Sequence, residues 1–274
     1  MKTALTIAGT DPSGGAGIQV DLQVFRDLGF HGLSAITAVV WQNTQGVGGY
    51  EAMSPAVLGA QLAAVAEDLP VSAVKIGMVP RGAHWEEIRA FLSVLDGRVL
   101  DGQAAEKVPV VLDPVLAEGS GARALADEES LTAMEVLMER VDLITPNGDE
   151  ARRLLGPGVR NTGSAGQVLT GEELALLLNE KGWRRVLVKG GHLPREEGAV
   201  VDWYCEEGEC LRLGAVAALP EDIRGTGCQL ASAVAAFRAR GQPWLEAVED
   251  ARTYLQEMLR QAESVGKGRP VVVR

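Results

Sequence analysis

Between residues 222 and 230 the chain reads Asp222-Ile223-Arg224-Gly225-Thr226-Gly227-Cys228-Gln229-Leu230, a glycine-flanked turn that runs directly into apolar residues. From Leu230 the large apolar side chains recur at Val234 and Phe237 with alanines between them, so the turn is expected to crown a helix N-terminus. The amides of Gly225, Thr226, Gly227 and Cys228 then precede the first helical hydrogen bonds, with the positive end of the helix dipole behind them. Such a terminus binds or stabilises an anion without a charged side chain. A mere tight turn followed by a small buried cysteine would read the same way in isolation, so other parts of the chain must discriminate.

Further polar groups and glycines follow short apolar runs. Gly9-Thr10-Asp11-Pro12-Ser13-Gly14-Gly15-Ala16-Gly17 follows the first run, Gln42-Asn43-Thr44 the second, Gly77-Met78 the third and Asp113-Pro114-Val115 the fourth. Pro146-Asn147-Gly148-Asp149-Glu150 follows the fifth, and Lys189-Gly190-Gly191-His192 the sixth. In open parallel sheets ligands bind beyond the carboxyl ends of the strands, which is where these groups fall.

Each group has a chemical use and a plainer one. The loop beginning at Gly9 lets backbone approach a flat ligand, and Asp21 on the following helix is placed to point back toward it; the plainer reading is a flexible turn and an exposed carboxylate. The loop is neither a Walker loop nor a dinucleotide fingerprint. Gln42 offers a donor and an acceptor suited to an aminopyrimidine edge, or a bond to backbone. Met78 makes a soft apolar wall, or simply core. Asp113, Asn147 and Glu150 supply oxygen ligands of the kind that suits magnesium and nucleotide phosphates, although Glu150 alone reads equally as a helix-capping carboxylate. Lys189 can neutralise phosphate charge, or stay solvated at a strand end.

The elements that must position these residues are legible as apolar runs alternating with helical patterns: Ala4 to Ala8, Gly32 to Val40, Ala73 to Ile76, Val108 to Leu112, Leu143 to Thr145 and Val186 to Val188. This rhythm predicts an α/β fold, a three-layer αβα sandwich around a mostly parallel central sheet, over one domain spanning residues 1–274. Two short β-type stretches between Val200 and Val216 predict an antiparallel hairpin at a sheet edge. Residues 97–107 and 156–171 read as surface loops.

Composition narrows the class. The chain of 274 residues is 46% hydrophobic, ample for a large core. With 37 acidic against 26 basic residues, net charge −11, and no long basic cluster, nucleic acid and anionic membrane are poor partners. No apolar run approaches the roughly 20 residues of a membrane span, and a cytoplasmic protein is expected. The three histidines are scattered without zinc spacing, so any metal should be a hard cation. Of the three cysteines, Cys205 and Cys210 flank the hairpin turn and are placed to face one another; they are expected to be free thiols in a reducing compartment.

These groups, in this order, resemble the hydroxymethylpyrimidine and phosphomethylpyrimidine kinases of thiamine biosynthesis, within the ribokinase-like superfamily. The resemblance runs from Ala4 to about Gly268 and is carried by residues 5–19, Gln42-Asn43-Thr44, Val74-Lys75-Ile76-Gly77-Met78, Val111-Leu112-Asp113-Pro114-Val115, Thr145-Pro146-Asn147, Val188-Lys189-Gly190-Gly191-His192 and Gly225-Thr226-Gly227-Cys228. It implies transfer of the γ-phosphoryl of ATP to the hydroxymethyl of 4-amino-5-hydroxymethyl-2-methylpyrimidine, then a second transfer to the monophosphate, with Mg2+. By its pattern Gly9, Asp21, Gln42 and Met78 surround the pyrimidine, Asn147 and Glu150 organise magnesium and ATP, and Gly225, Gly227 and Cys228 form an anion hole. Cys228 stands where sugar-kinase relatives carry an aspartate base, and a thiol at a helix N-terminus can have a lowered pKa. The family also suggests a homodimer.

Three departures stand out. The family's lid, with its lysine and acidic residue, is replaced by residues 116–122; the usual histidine before Gly225 is Arg224; and the usual threonine after Cys228 is Gln229. Arg224 is a candidate to supply the missing charge to ATP phosphates. Two alternatives follow: a pyridoxal kinase of the same superfamily, disfavoured because no cysteine occurs from Asp113 to Leu125, and a pyrimidine-binding paralogue with weakened transfer.

Overall fold

The computed structural model describes residues 1–97, 99–100, 103–104, 107–117, 124–156, 169–195, 198–217 and 222–274. They form two compact units, residues 1–140 with 221–274, and residues 141–220. Most of the altered lid and most of the 156–171 loop lie outside the described residues.

In the first unit, strands β1 (Thr3–Gly9), β2 (His31–Asn43), β3 (Gly46–Ala52) and β4 (Val74–Ile76) precede the short ladder of β5 (Val99–Leu100) with β6 (Gln103–Ala104) and then β7 (Val110–Leu112). The sheet order is β7-β4-β1-β2-β3, parallel except for β3, which runs antiparallel to β2. Helices α1 (Gly17–Asp27), α2 (Pro55–Asp68), α3 (Gly82–Asp96) and α4 (Glu128–Met134) follow the strands. In the second unit β8 (Leu143–Ile144) pairs in parallel with β9 (Arg185–Val188), and helices α5 (Gly148–Leu155) and α6 (Gly171–Glu180) lie between them in the chain. The short pair β10 (Ala199–Val200) and β13 (Val216–Ala217) encloses the expected antiparallel hairpin of β11 (Trp203–Glu206) and β12 (Glu209–Arg212). The chain closes in the first unit with α7 (Thr226–Ala239), α8 (Trp244–Leu259) and a terminal pair, β14 (Ala262–Glu263) and β15 (Val271–Val272).

In the first unit α1, α7 and α8 pack together as one helix layer and α2, α3 and α4 as the other. The burial of every residue of β1, β4 and β7 follows from this cover on both faces. Among the described residues no helix is long and apolar enough to cross a membrane.

Four expectations change. Strand β2 runs on through Asn43, so Gln42 lies within a strand rather than after it. Its partner β3 is hidden in the sequence by Gly46, Gly48 and Gly49, which weaken strand propensity; the indole of Trp41 packs where the side chains of Gly48 and Gly49 would stand and makes the pairing. The segment expected to be a loop at 97–107 contains the β5–β6 ladder. Cys205 and Cys210 do face one another in register, but their sulfurs are bonded rather than free.

Candidate active site

At the carboxyl end of β1 backbone comes directly against apolar side chains. An added Cβ at Gly9 would stand 3.2 Å from Met78 Sδ and 3.2 Å from Val40 Cγ2, so glycine is what lets these groups close in. Met78 belongs to a buried cluster with Ala38, Val40 and Leu125, bordered by Val47, Tyr50 and Val115. Thr10 ties this end of β1 to β2: its N–H donates to Ala38 O at 3.0 Å, its Oγ1 accepts from Val40 N at 3.0 Å, and its carbonyl accepts from Gln42 Nε2 at 3.0 Å. Gly9, Gln42 and Met78 are thus brought together.

Asp21 turns inward instead. Fully buried on α1, it accepts from Lys75 Nζ at 3.0 and 2.8 Å, from Thr6 Oγ1 at 2.6 Å and from Ser232 Oγ of α7 at 2.8 Å. Burial pulls the Lys75 ammonium down, and Asp21, with Cys228 and Asp113, pulls it up by more, to well above the usual lysine range. The ion pair cross-links β1, β4, α1 and α7 beneath the glycine loop. A lysine inside the apolar run of Ala73 to Ile76 was the signal for this pair, because lysine is seldom fully buried without a partner.

The turn before α7 has the geometry its sequence implies. Gly225 is left-handed, φ 73°, and an added Cβ would strike the carbonyl of Gly15, so the two glycine loops lie in contact. Gln229 N–H donates to Gly225 O at 3.0 Å as the helix begins, and among the described residues no side chain caps the terminus. The amides of Thr226, Gly227 and Cys228 are therefore left to an incoming anion. Burial pushes the Cys228 thiol up to about 11; Lys75 and a hydrogen bond from Gly17 N–H act in the opposite direction, without reversing it. The thiol is thus raised rather than lowered, burial outweighing Lys75 and the Gly17 N–H, with Asp21 and Asp113 adding to the rise. Asp113, buried at the end of β7, lies within the charge field of both Cys228 and Lys75.

Arg224 is buried and engaged. Its Nη2 donates to Gln42 Oε1 at 2.6 Å and lies 3.5 Å from Asp11 Oδ2.

In the second unit Asn147, Glu150 and Lys189 come together. Asn147 Oδ1 caps α5 by accepting from Asp149 N and Glu150 N at 2.9 Å each, and Glu150 Oε2 accepts from Asn147 N at 2.7 Å. This reciprocal capping box realises the plainer reading of Glu150. Lys189 Nζ stands 3.8 Å from the same Glu150 oxygen, and Lys189 bridges to Asn147 through backbone. No group of three or more acidic, cysteine or histidine side chains that could hold a metal occurs among the described residues.

A mostly parallel sheet between helix layers, with a glycine loop at one strand end and an uncapped helix terminus beside it, defines an α/β small-molecule kinase of the ribokinase-like class. The phosphomethylpyrimidine kinase model matches residues 11–272, and the chain belongs to that family. A hydroxymethylpyrimidine/phosphomethylpyrimidine kinase from Salmonella typhimurium is 41% identical over 97% of this chain and 94% of its own. The crystal structure of phosphomethylpyrimidine kinase from Clostridium difficile superposes with a TM-score of 0.71 at 32% identity, covering 94% of this chain and 100% of that one. Pyridoxal kinase from Staphylococcus aureus, in complex with AMP-PCP, superposes with a TM-score of 0.81 at 25% identity, covering 99% of this chain and 93% of that one.

Proposed function

We propose that residues 1–274 act as one kinase domain that transfers the γ-phosphoryl of ATP to the hydroxymethyl of 4-amino-5-hydroxymethyl-2-methylpyrimidine and then to the resulting monophosphate, in thiamine biosynthesis. The observation that carries the reading is the uncapped terminus of α7, packed through Gly225 against the glycine loop that leads out of Gly9.

In this reading Gln42 reads the aminopyrimidine edge, and Gly9, Val40 and Met78 hold the ring flat against backbone. The amides of the Gly225–Cys228 turn stabilise charge on the transferring phosphoryl, the main task in such a transfer. Asp21 acts through Lys75, the two together fixing α1 to β4 near that turn. Cys228 remains a neutral thiol at pH 7 and is a poor proton acceptor, so positioning outweighs base catalysis. Asn147, Glu150 and Lys189 organise ATP; Mg2+, held by Asp113 or Glu150 together with phosphate oxygens, supplies charge neutralisation when bound. The enzyme is proposed to be cytoplasmic and homodimeric; a monomer mass by light scattering would remove the second statement.

The fold likeness to a pyridoxal kinase supports a second acceptor, pyridoxal. ADP release with ATP and Mg2+ tests both: stimulation by the pyrimidine and its monophosphate above pyridoxal, abolished by chelator, is the expected result. Stimulation by pyridoxal alone would replace the first reading with the second, and pyrimidine binding without ADP release would favour the weakened paralogue.

A further inference from the structure

We propose that Arg224 is a specificity-determining positioning residue, which locks the side-chain amide of Gln42 in one orientation so that it accepts only ring edges presenting an amino donor beside an acceptor nitrogen. The inference rests on the acceptor reading given above. Gln42 has an oxygen with two lone pairs and a nitrogen with two hydrogens. Its oxygen accepts from Arg224 Nη2 at 2.6 Å and its nitrogen donates to Thr10 O at 3.0 Å. Turning the amide over would set its NH2 against a guanidinium, which only donates, and its oxygen against a carbonyl, which only accepts. Two repulsive contacts would replace two hydrogen bonds, so one orientation is enforced. One hydrogen and one lone pair are then left for a ligand, the complement of an aminopyrimidine edge.

The guanidinium is itself held in place. Arg224 is 5% exposed, its backbone N–H donates to Pro270 O at 3.0 Å, and its Nη2 lies 3.5 Å from Oδ2 of the fully buried Asp11. Asp11 Oδ1 is fixed by Ser13 N at 2.9 Å and Ser13 Oγ at 2.7 Å. Because Arg224 directly precedes Gly225, the same residue links the amide that reads the ring to the turn that receives the phosphoryl. Its charge is thereby committed to the acceptor end, and not to the ATP phosphates for which the sequence made it a candidate.

The test compares 4-amino-5-hydroxymethyl-2-methylpyrimidine with its analogue lacking the 4-amino group as acceptors for wild type, Arg224→Lys and Arg224→Ala. Lysine keeps a cation near Asp11 while losing the rigid planar fork, so it preserves the fold where alanine leaves a buried carboxylate unpaired. The expected result is an increase of about tenfold in KM for the amino acceptor in both variants, the scale of a lost charge-assisted hydrogen bond. KM for ATP stays unchanged, and the preference for the amino over the deamino acceptor falls toward unity. If Arg224→Lys folds with a wild-type melting temperature and keeps the wild-type preference, the inference is overturned while the kinase reading stands. If the wild type uses neither pyrimidine, both are overturned.

Discussion

Cys228 shows most plainly how burial redirects a residue whose sequence position suggests chemistry. The turn, the helix start and the family pattern were all legible, and from them a lowered thiol pKa was reasonable; the dehydration that reverses its sign is a property of packing and invisible in sequence. Replacing Cys228 by Ser should reduce transfer by no more than about tenfold, short of the roughly 10²–10⁴-fold expected from loss of a general base. The kcat profile from pH 7 to 9 should also keep its shape. A variant loss beyond that range, with a wild-type limb that tracks thiol ionisation, would restore the base role. The same thiol has a stability consequence. Its folded pKa of about 11 lies above the ordinary 9.0, so its contribution is complete below pH 9 and is lost as pH rises through 11. Chemical denaturation of the Cys228→Ser variant should lack that part of the alkaline decline. The gathering of Gly9 and Met78 was also readable, because groups at strand ends are where an open sheet binds ligands. The inward turn of Asp21 was not, since its partner Lys75 sits 54 residues away in the chain.

The elements were legible wherever hydrophobic runs had length and cover, as in β1, β4, β7 and β9, and the hairpin of β11 and β12 was marked by its turn. They were not legible where packing overrode propensity, as in β3, whose Gly48 and Gly49 lie against Trp41. The Asp21–Lys75 pair is the main test at this scale, because one ion pair joins two strands and two helices. Removing one partner of a fully buried pair leaves an uncompensated charge, so Lys75→Met should cost about 3–5 kcal/mol in denaturant unfolding. Adding Asp21→Asn to that variant should recover part of the loss. Additive losses in the double variant would mean that the two side chains do not depend on one another.

For the whole molecule, net charge −11 and the choice of phosphate-bearing ligands are reconciled by locality. In the proposed reading anion recognition falls to the backbone amides of the α7 turn and to individual lysines, so the acidic surface neither supplies nor prevents it. Composition made nucleic acid a poor candidate partner but could not identify an acceptor; the ordered motifs did that, and the family match over residues 11–272 agrees with them. The division into two compact units was not legible, because both units are built from the same alternation of strands and helices. The most direct measurement is 31P NMR of the purified protein with Mg2+, ATP and 4-amino-5-hydroxymethyl-2-methylpyrimidine. Growth of a pyrimidine monophosphate resonance, then of the diphosphate pair, as ATP becomes ADP is the result expected of a kinase that phosphorylates both acceptors. ATP that persists, or ADP and free phosphate without a phosphorylated pyrimidine, would contradict the account.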